Sequence, residues 1–143
     1  MWTSTQRQRL SFERALLASK MPQFSFCDPF GNTFVCGLAT TNSGSSYLLQ
    51  LDLPSAYPYE EPDLYIVIPH TLYRYGGVGT INDVGTSHDF HVYDNPGGCV
   101  QICHFREWDA SKTCLLVLLK GFLWLEAYHA HLRTGRNLAE FLC

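Results

Sequence analysis

The chain reads as one α+β domain, on three observations. A helical apolar period near the start gives way to short runs of β-branched and aromatic residues separated by turn signals. A glycine-rich stretch without period follows, and a strongly apolar helical segment then fills most of the remaining chain. At 143 residues one well-buried core is the economical arrangement, so residues 1–143 are taken as a single domain.

Composition narrows the function classes. Apolar residues make up 46% and aromatics 14%, the profile of a folded chain. A formal charge of −3 carries no electrostatic footprint for nucleic acid or anionic lipid, so neither is expected as a partner. No secretory signal is visible behind Met1-Trp2-Thr3-Ser4, and the longest apolar stretch, Cys114 to Leu119, is stopped by Lys120 and Gly121, short of a membrane span. A cytoplasmic location is therefore expected, with the six cysteines reduced.

The first helix is expected from Ser4 to Met21, capped by Ser4 or Thr5 and ended by Pro22. Its apolar stripe is Leu10, Ala15, Leu16, Leu17 and Met21, set between Arg7, Arg9, Glu13, Arg14 and Lys20; Phe12 falls off it. Four strands of an antiparallel meander follow, at Phe24–Cys27, Thr33–Ala39, Tyr47–Leu53 and Leu64–Ile68, with short polar turns between the first three. From His70 to Pro96 regular structure stops, and a loop this long tends to carry function.

That loop leads into Gly97-Gly98-Cys99-Val100-Gln101-Ile102-Cys103-His104-Phe105-Arg106-Glu107-Trp108. Asp109 or Ser111 then caps a long helix to about Arg133, with Gly135 as its stop. Its core stripe is Leu115, Leu118, Phe122, Leu125 and Leu132, widened by Leu116, Leu119 and Leu123, and a short helical turn is expected within Asn137–Leu142.

Two constellations carry chemistry. Leu53-Pro54-Ser55-Ala56-Tyr57-Pro58-Tyr59-Glu60-Glu61-Pro62-Asp63-Leu64 sets three prolines between two strands, and downstream come a cysteine, Trp108 and, five residues on, Thr113 at a helix start. This order resembles that of ubiquitin-conjugating enzymes and their inactive relatives. The ending, Leu123-Trp124-Leu125-Glu126-Ala127-Tyr128 through Thr134-Gly135, is most similar to divergent bacterial members encoded beside ubiquitin-like proteins and adenylating enzymes, which implies an antiviral setting.

The resemblance implies a ubiquitin-conjugating-like fold with an N-terminal helix, a four-stranded meander, a long active-site loop and a C-terminal core helix. It implies a catalytic cysteine that takes a ubiquitin-like protein from an adenylating enzyme as a thioester and passes it to an amine of a target protein, with no cofactor on this chain. The family's His-Pro-Asn triplet is missing, but His91 and Asn95 lie in its region, Asn95 eight residues before Cys103. Cys103 follows a β-branched residue as family cysteines do, whereas the interval from Cys99 to Trp108 is nearer the family's; Cys103 is the candidate and Cys99 the alternative. His91 and Asn95 are the candidate oxyanion donors, and Arg7, Arg9 and Arg14 the candidate contacts for the adenylating enzyme.

Three bland or rival readings stand beside this. His104 adjoins Cys103, but neighbours on an extended chain point to opposite faces, which argues against a Cys–His pair. His88, His91, Cys99, Cys103 and His104 supply enough zinc ligands for a metal-stabilised binding domain. A non-catalytic adaptor of the same fold is the other rival. Cys27, Cys36 and Cys114 are expected in the core, and Cys143 as a terminal thiol.

Overall fold

Thr3 starts the first helix, earlier than the sequence predicts. The computed structural model describes residues 2–142, and the thiol of Cys143 lies outside them. Helix α1 spans Ser4–Lys20, with Thr3 as its cap: the Thr3 hydroxyl accepts the Gln6 N–H (3.1 Å) and the Gln6 side-chain Oε1 accepts the Thr3 N–H (2.9 Å). Gln6 decides the position, because its amide also donates to the carbonyls of Ser55 (2.8 Å) and Tyr57 (2.9 Å) and so ties the helix start to the proline-rich loop.

The buried face of α1 is Leu10, Glu13 and Leu17. Of the expected stripe Leu10, Leu17 and Met21 are buried, whereas Ala15 is exposed and Leu16 half-buried. Glu13, expected on the charged flank, is 0% exposed. Its Oε1 accepts the backbone N–H of Cys114 (2.9 Å), and its Oε2 accepts from the Tyr57 hydroxyl and from Arg9 Nε (3.0 Å). Arg9 continues outward, donating to the carbonyls of Ala110 and Lys112, each at 2.6 Å.

Six strands, and not the four expected, form one antiparallel sheet: β1 Ser25–Cys27, β2 Phe34–Thr40, β3 Ser46–Asp52, β4 Asp63–Ile68, β5 Val92–Tyr93 and β6 Val100–Ile102, in the order β1-β2-β3-β4-β6-β5. The first four match the expected runs within a residue or two. The added pair is too short to show a period, and β5 falls inside the segment expected to be irregular, which also holds turns of 3-10 helix at Tyr75–Gly77 and Ile81–Val84. Alternation sorts the faces: Val35, Leu49, Leu51, Leu64, Ile66, Val92, Val100 and Ile102 point inward and are buried.

Helix α2, Cys114–Thr134, covers that inner face. Thr113 caps it, its hydroxyl accepting the Leu116 N–H (3.2 Å), and Gly135 closes it in the left-handed conformation (φ 76°). Asp109 and Ser111 do not cap it; Asp109 instead accepts the Ser111 N–H (2.9 Å) and the Lys112 ammonium (2.6 Å) in the preceding turn. Gly121 lets the helix approach the sheet, since a Cβ there would sit 3.0 Å from Leu64 and 3.2 Å from Leu49.

The buried side of α2 includes Val117, Leu118, Trp124, Leu125 and Tyr128, while Leu116, Leu119 and Leu123 are 42%, 43% and 55% exposed and Leu132 is also turned to solvent. A nearly all-apolar helix hides its orientation from sequence, and the close contact at Gly121 fixes it here. A 3-10 turn at Leu138–Glu140 follows, within the stretch expected for it. Among the described residues no helix is long and apolar enough to cross a membrane.

Removing the Glu13 carboxylate strands the Tyr57 hydroxyl, the Cys114 N–H and the Arg9 charge together. Glu13→Ala is expected to lower the unfolding free energy by about 3–5 kcal/mol, read from urea melts. A loss below about 1 kcal/mol, the range of an exposed ion pair, would refute this central role.

Candidate thiol site

Asn95-Pro96-Gly97-Gly98 turns the chain from β5 into β6. Gly98 N–H donates to the Asn95 carbonyl (3.0 Å), Pro96 holds the second place and Gly97 the third with φ 72°, the pattern of a type II turn. The Asn95 amide donates to the Cys99 carbonyl (2.8 Å), and a Cβ at Gly98 would lie 2.5 Å from that nitrogen, so a side chain there would displace the Asn95 amide.

Register then distributes the side chains of β6. Val100 and Ile102 go inward, so Cys99, Gln101 and Cys103 face outward and are half-buried. Cys103 follows the strand directly, its N–H donating to the His91 carbonyl (2.8 Å) where His91 takes a left-handed conformation (φ 50°). Its Sγ lies 3.4 Å from the Tyr93 hydroxyl, its one hydrogen-bond partner among the described residues. That contact and burial raise the Tyr93 hydroxyl above its ordinary value of 10, so it stays a phenol able to donate to a thiolate.

Cys103 opens onto a cleft of about 570 Å³, with His88, His91, Tyr93, Arg106 and Lys120 on its walls. His91 stacks against His88 (ring centroids 4.9 Å apart). Burial, then the neighbouring charges of His88, Lys120 and Arg106, push its pKa below the ordinary 6.5 and favour the neutral ring. Its Nε2 has no partner among the described residues.

The structure therefore gathers Cys103 and His91, and leaves Cys99 and Asn95 at the turn, outside the lining of this cleft. Tyr93 and Lys120 were missed in the sequence. A reading of Asn-Pro-Gly-Gly as a turn would have found the hairpin but paired Tyr93 with Val100; the observed register sets Tyr93 opposite Gln101 and so diagonal to Cys103.

His104 also lines the Cys103 cleft, with its Nδ1 lacking a partner among the described residues. It is buried, its Nε2–H donates to the Pro62 carbonyl (2.7 Å), and its ring packs edge-on against Phe105 and Trp108. Burial pushes its pKa down. Trp108 in turn donates from Nε1 to the Pro58 carbonyl (2.8 Å) and lies against Tyr57 (6.3 Å between centroids), so the proline-rich loop and the tryptophan are one packed unit.

The remaining candidates sort as follows. Among the described residues no three His, Cys, Asp or Glu side chains converge as a metal ion requires, so the zinc ligand set is not assembled. Cys114 is buried, as expected, and Cys27 and Cys36 are not core residues; they are half-buried on the outward face of the sheet. Arg9 is half-buried, bonded to Glu13, Ala110 and Lys112, and also lines the surface groove at the start of α1. Arg7 and Arg14 are exposed and flank a groove of about 410 Å³ with Leu10, Phe26, Pro29 and Phe30, the last 81% exposed. A larger groove of about 620 Å³ at the start of α1, between Thr5, Gln6, Ser55 and Tyr59, shares no residue with the cleft. Compared with protein-family models, curated proteins and solved structures, the chain matches none.

A histidine held below its ordinary 6.5 binds fewer protons folded than unfolded. Its contribution to stability is therefore full above about pH 6.5 and is lost as pH falls through the folded value. His104→Gln keeps an N–H for Pro62 and removes the titration, so between about pH 7 and pH 5 its urea midpoint is expected to fall less steeply than the parent's. Equal slopes would show that His104 does not carry the acid sensitivity.

Proposed function

We propose that this chain is a ubiquitin-conjugating-like acyl carrier, which takes a ubiquitin-like protein from an adenylating enzyme onto Cys103 and passes it to an acceptor amine. The observation that carries the reading is the setting of Cys103: a half-buried thiol just past a strand end, facing a cleft, with a phenol as its hydrogen-bond partner. Such a thiol needs no strong base, because it attacks an already activated thioester and only its thiolate fraction reacts.

The Cys103 thiolate attacks the thioester carbonyl, and the adenylating enzyme's thiolate leaves. An amine then attacks the new thioester, loses a proton, and expels the Cys103 thiolate as the amide forms. Tyr93 hydrogen-bonds that thiolate in both steps. A ring N–H of neutral His91 is the donor available to the oxyanion, a contribution of about 3 kcal/mol where geometry is right. The ATP-consuming step belongs to the adenylating partner.

Asn95 favours the second reading, a non-catalytic adaptor of this fold, because its amide is tied to the Cys99 carbonyl (2.8 Å) and shapes the turn. The two readings part on charging. Mixed with cognate adenylating enzyme, ubiquitin-like protein and ATP, the chain is expected to form a thiol-sensitive adduct that Cys103→Ala abolishes and Cys99→Ala retains. An adduct lost only in Cys99→Ala would move the site, and absence of any adduct would favour the adaptor.

Arg7 and Arg14, beside the apolar wall of Phe26, Pro29 and Phe30, suit an acidic, apolar segment of the adenylating enzyme. The double change Arg7→Glu, Arg14→Glu is expected to slow charging at least tenfold, about 1.4 kcal/mol, with the chain still folded by circular dichroism despite loss of the Arg7 bond to the Trp2 carbonyl and the Arg14 contact with Phe26. Unaltered charging would place docking elsewhere.

A further inference from the structure

Two thiols outside the Cys103 cleft lie against each other. Cys27 ends β1, Cys36 lies in β2, and their sulfurs are 3.9 Å apart with both residues half-buried. The register sets Cys27 opposite Phe34 and Cys36 opposite Ser25, so the two cysteines are diagonal neighbours on the outward face of the sheet. Cys36 is thus two residues from Cys27's direct partner, on the same side of the pleat.

We propose that Cys27 and Cys36 form a reversible dithiol–disulfide site that reacts with small-molecule disulfides of the glutathione type. The inference is read from the sheet itself and stands whether or not Cys103 carries an acyl group. Cys27 is the first attacker, since it ends a three-residue edge strand paired only to β2. Cys36 is the resolving thiol: burial raises its pKa, and the adjacent Cys27 adds to the effect.

In the first step the Cys27 thiolate attacks one sulfur of the small disulfide, forming a mixed disulfide and releasing one small thiolate. Cys36, losing its proton to solvent, then attacks the Cys27 sulfur and expels the second small thiolate. Two protein thiols are oxidised to one disulfide while one small disulfide is reduced to two thiols.

Geometry makes this pair selective and its closure costly enough to reverse. Diagonal residues of an antiparallel pair have Cα atoms about 7–8 Å apart, at or beyond the reach of an unstrained bridge. The sulfurs must close to about 2.05 Å, which draws the end of β1 toward β2. An edge strand this short, followed by the Asp28–Asn32 turn, is the part of the sheet best able to shift. Phe26, Pro29 and Phe30 ride on that segment, so the groove they share with Arg7 and Arg14 moves with it.

The test incubates the folded full chain with oxidised glutathione, traps remaining thiols with an alkylating agent, and maps disulfides by mass spectrometry. The expected result is a Cys27–Cys36 link as the dominant product, a mass loss of two hydrogens, and restoration by dithiothreitol. The same reaction in urea is expected to lose this preference. Cys27→Ser is expected to leave Cys36 without an internal partner and to abolish the fast phase of oxidant consumption. Glutathione remaining singly on either cysteine, a dominant link through Cys99 or Cys103, or equal Cys27–Cys36 yield in urea would each overturn the proposal.

Discussion

A carboxylate with no exposed surface is tolerable only when its lone pairs are taken up, and Glu13 meets that condition at the junction of three elements. It closes the first N–H of α2, receives the Tyr57 hydroxyl from the proline-rich loop, and is neutralised by Arg9 of its own helix. A negative charge at a helix N-terminus also opposes the positive end of the α2 dipole. Burying it costs several kcal/mol, so the contact works as a specificity device: only one placement of α1, the loop and α2 satisfies every group at once. Arg9 extends the same lock to the chain before α2 through Ala110 and Lys112.

That lock fixes the thiol site indirectly. With the start of α2 held, its next turns carry Lys120 to the wall of the cleft and Gly121 onto Leu49 and Leu64. Tyr57 lies tilted against Trp108, and Trp108 and Phe105 pack on His104, so the residue after Cys103 is clamped. The histidine beside the cysteine gives its Nε2–H to Pro62 and the thiol of Cys103 turns to Tyr93, while both residues line the cleft.

How much of this was legible in the chain follows from the range of each signal. β2, β3 and β4 could be read because alternation over six or seven residues is a local pattern, and the stop at Gly135 because a left-handed cap favours glycine. The β5–β6 hairpin was hidden because strands of two and three residues hold no period, although their turn was written as Asn-Pro-Gly-Gly. The exposed edge of α2 was hidden because leucines line every side of that helix. Glu13 was hidden for the opposite reason: a lone acid between arginines looks solvated until Tyr57 and Cys114, over forty and a hundred residues away, are brought to it.

The electrostatics of the cleft complete the argument for the thiol. Lys120 and Arg106 stand on the wall of the cleft beside the neutral ring of His91, and its lining residues include no carboxylate. The Cys103 thiol donates to the Tyr93 hydroxyl (3.4 Å), and that contact, with burial, keeps the phenol protonated. In the transfer proposed above, the sulfur must both attack a thioester and leave from one. A serine in its place would lose the second property, because an alkoxide is a far poorer leaving group than a thiolate. Under the proposed transfer that asymmetry is why a cysteine, and not a serine, is needed at this position, whereas a site used only for packing or docking would tolerate either.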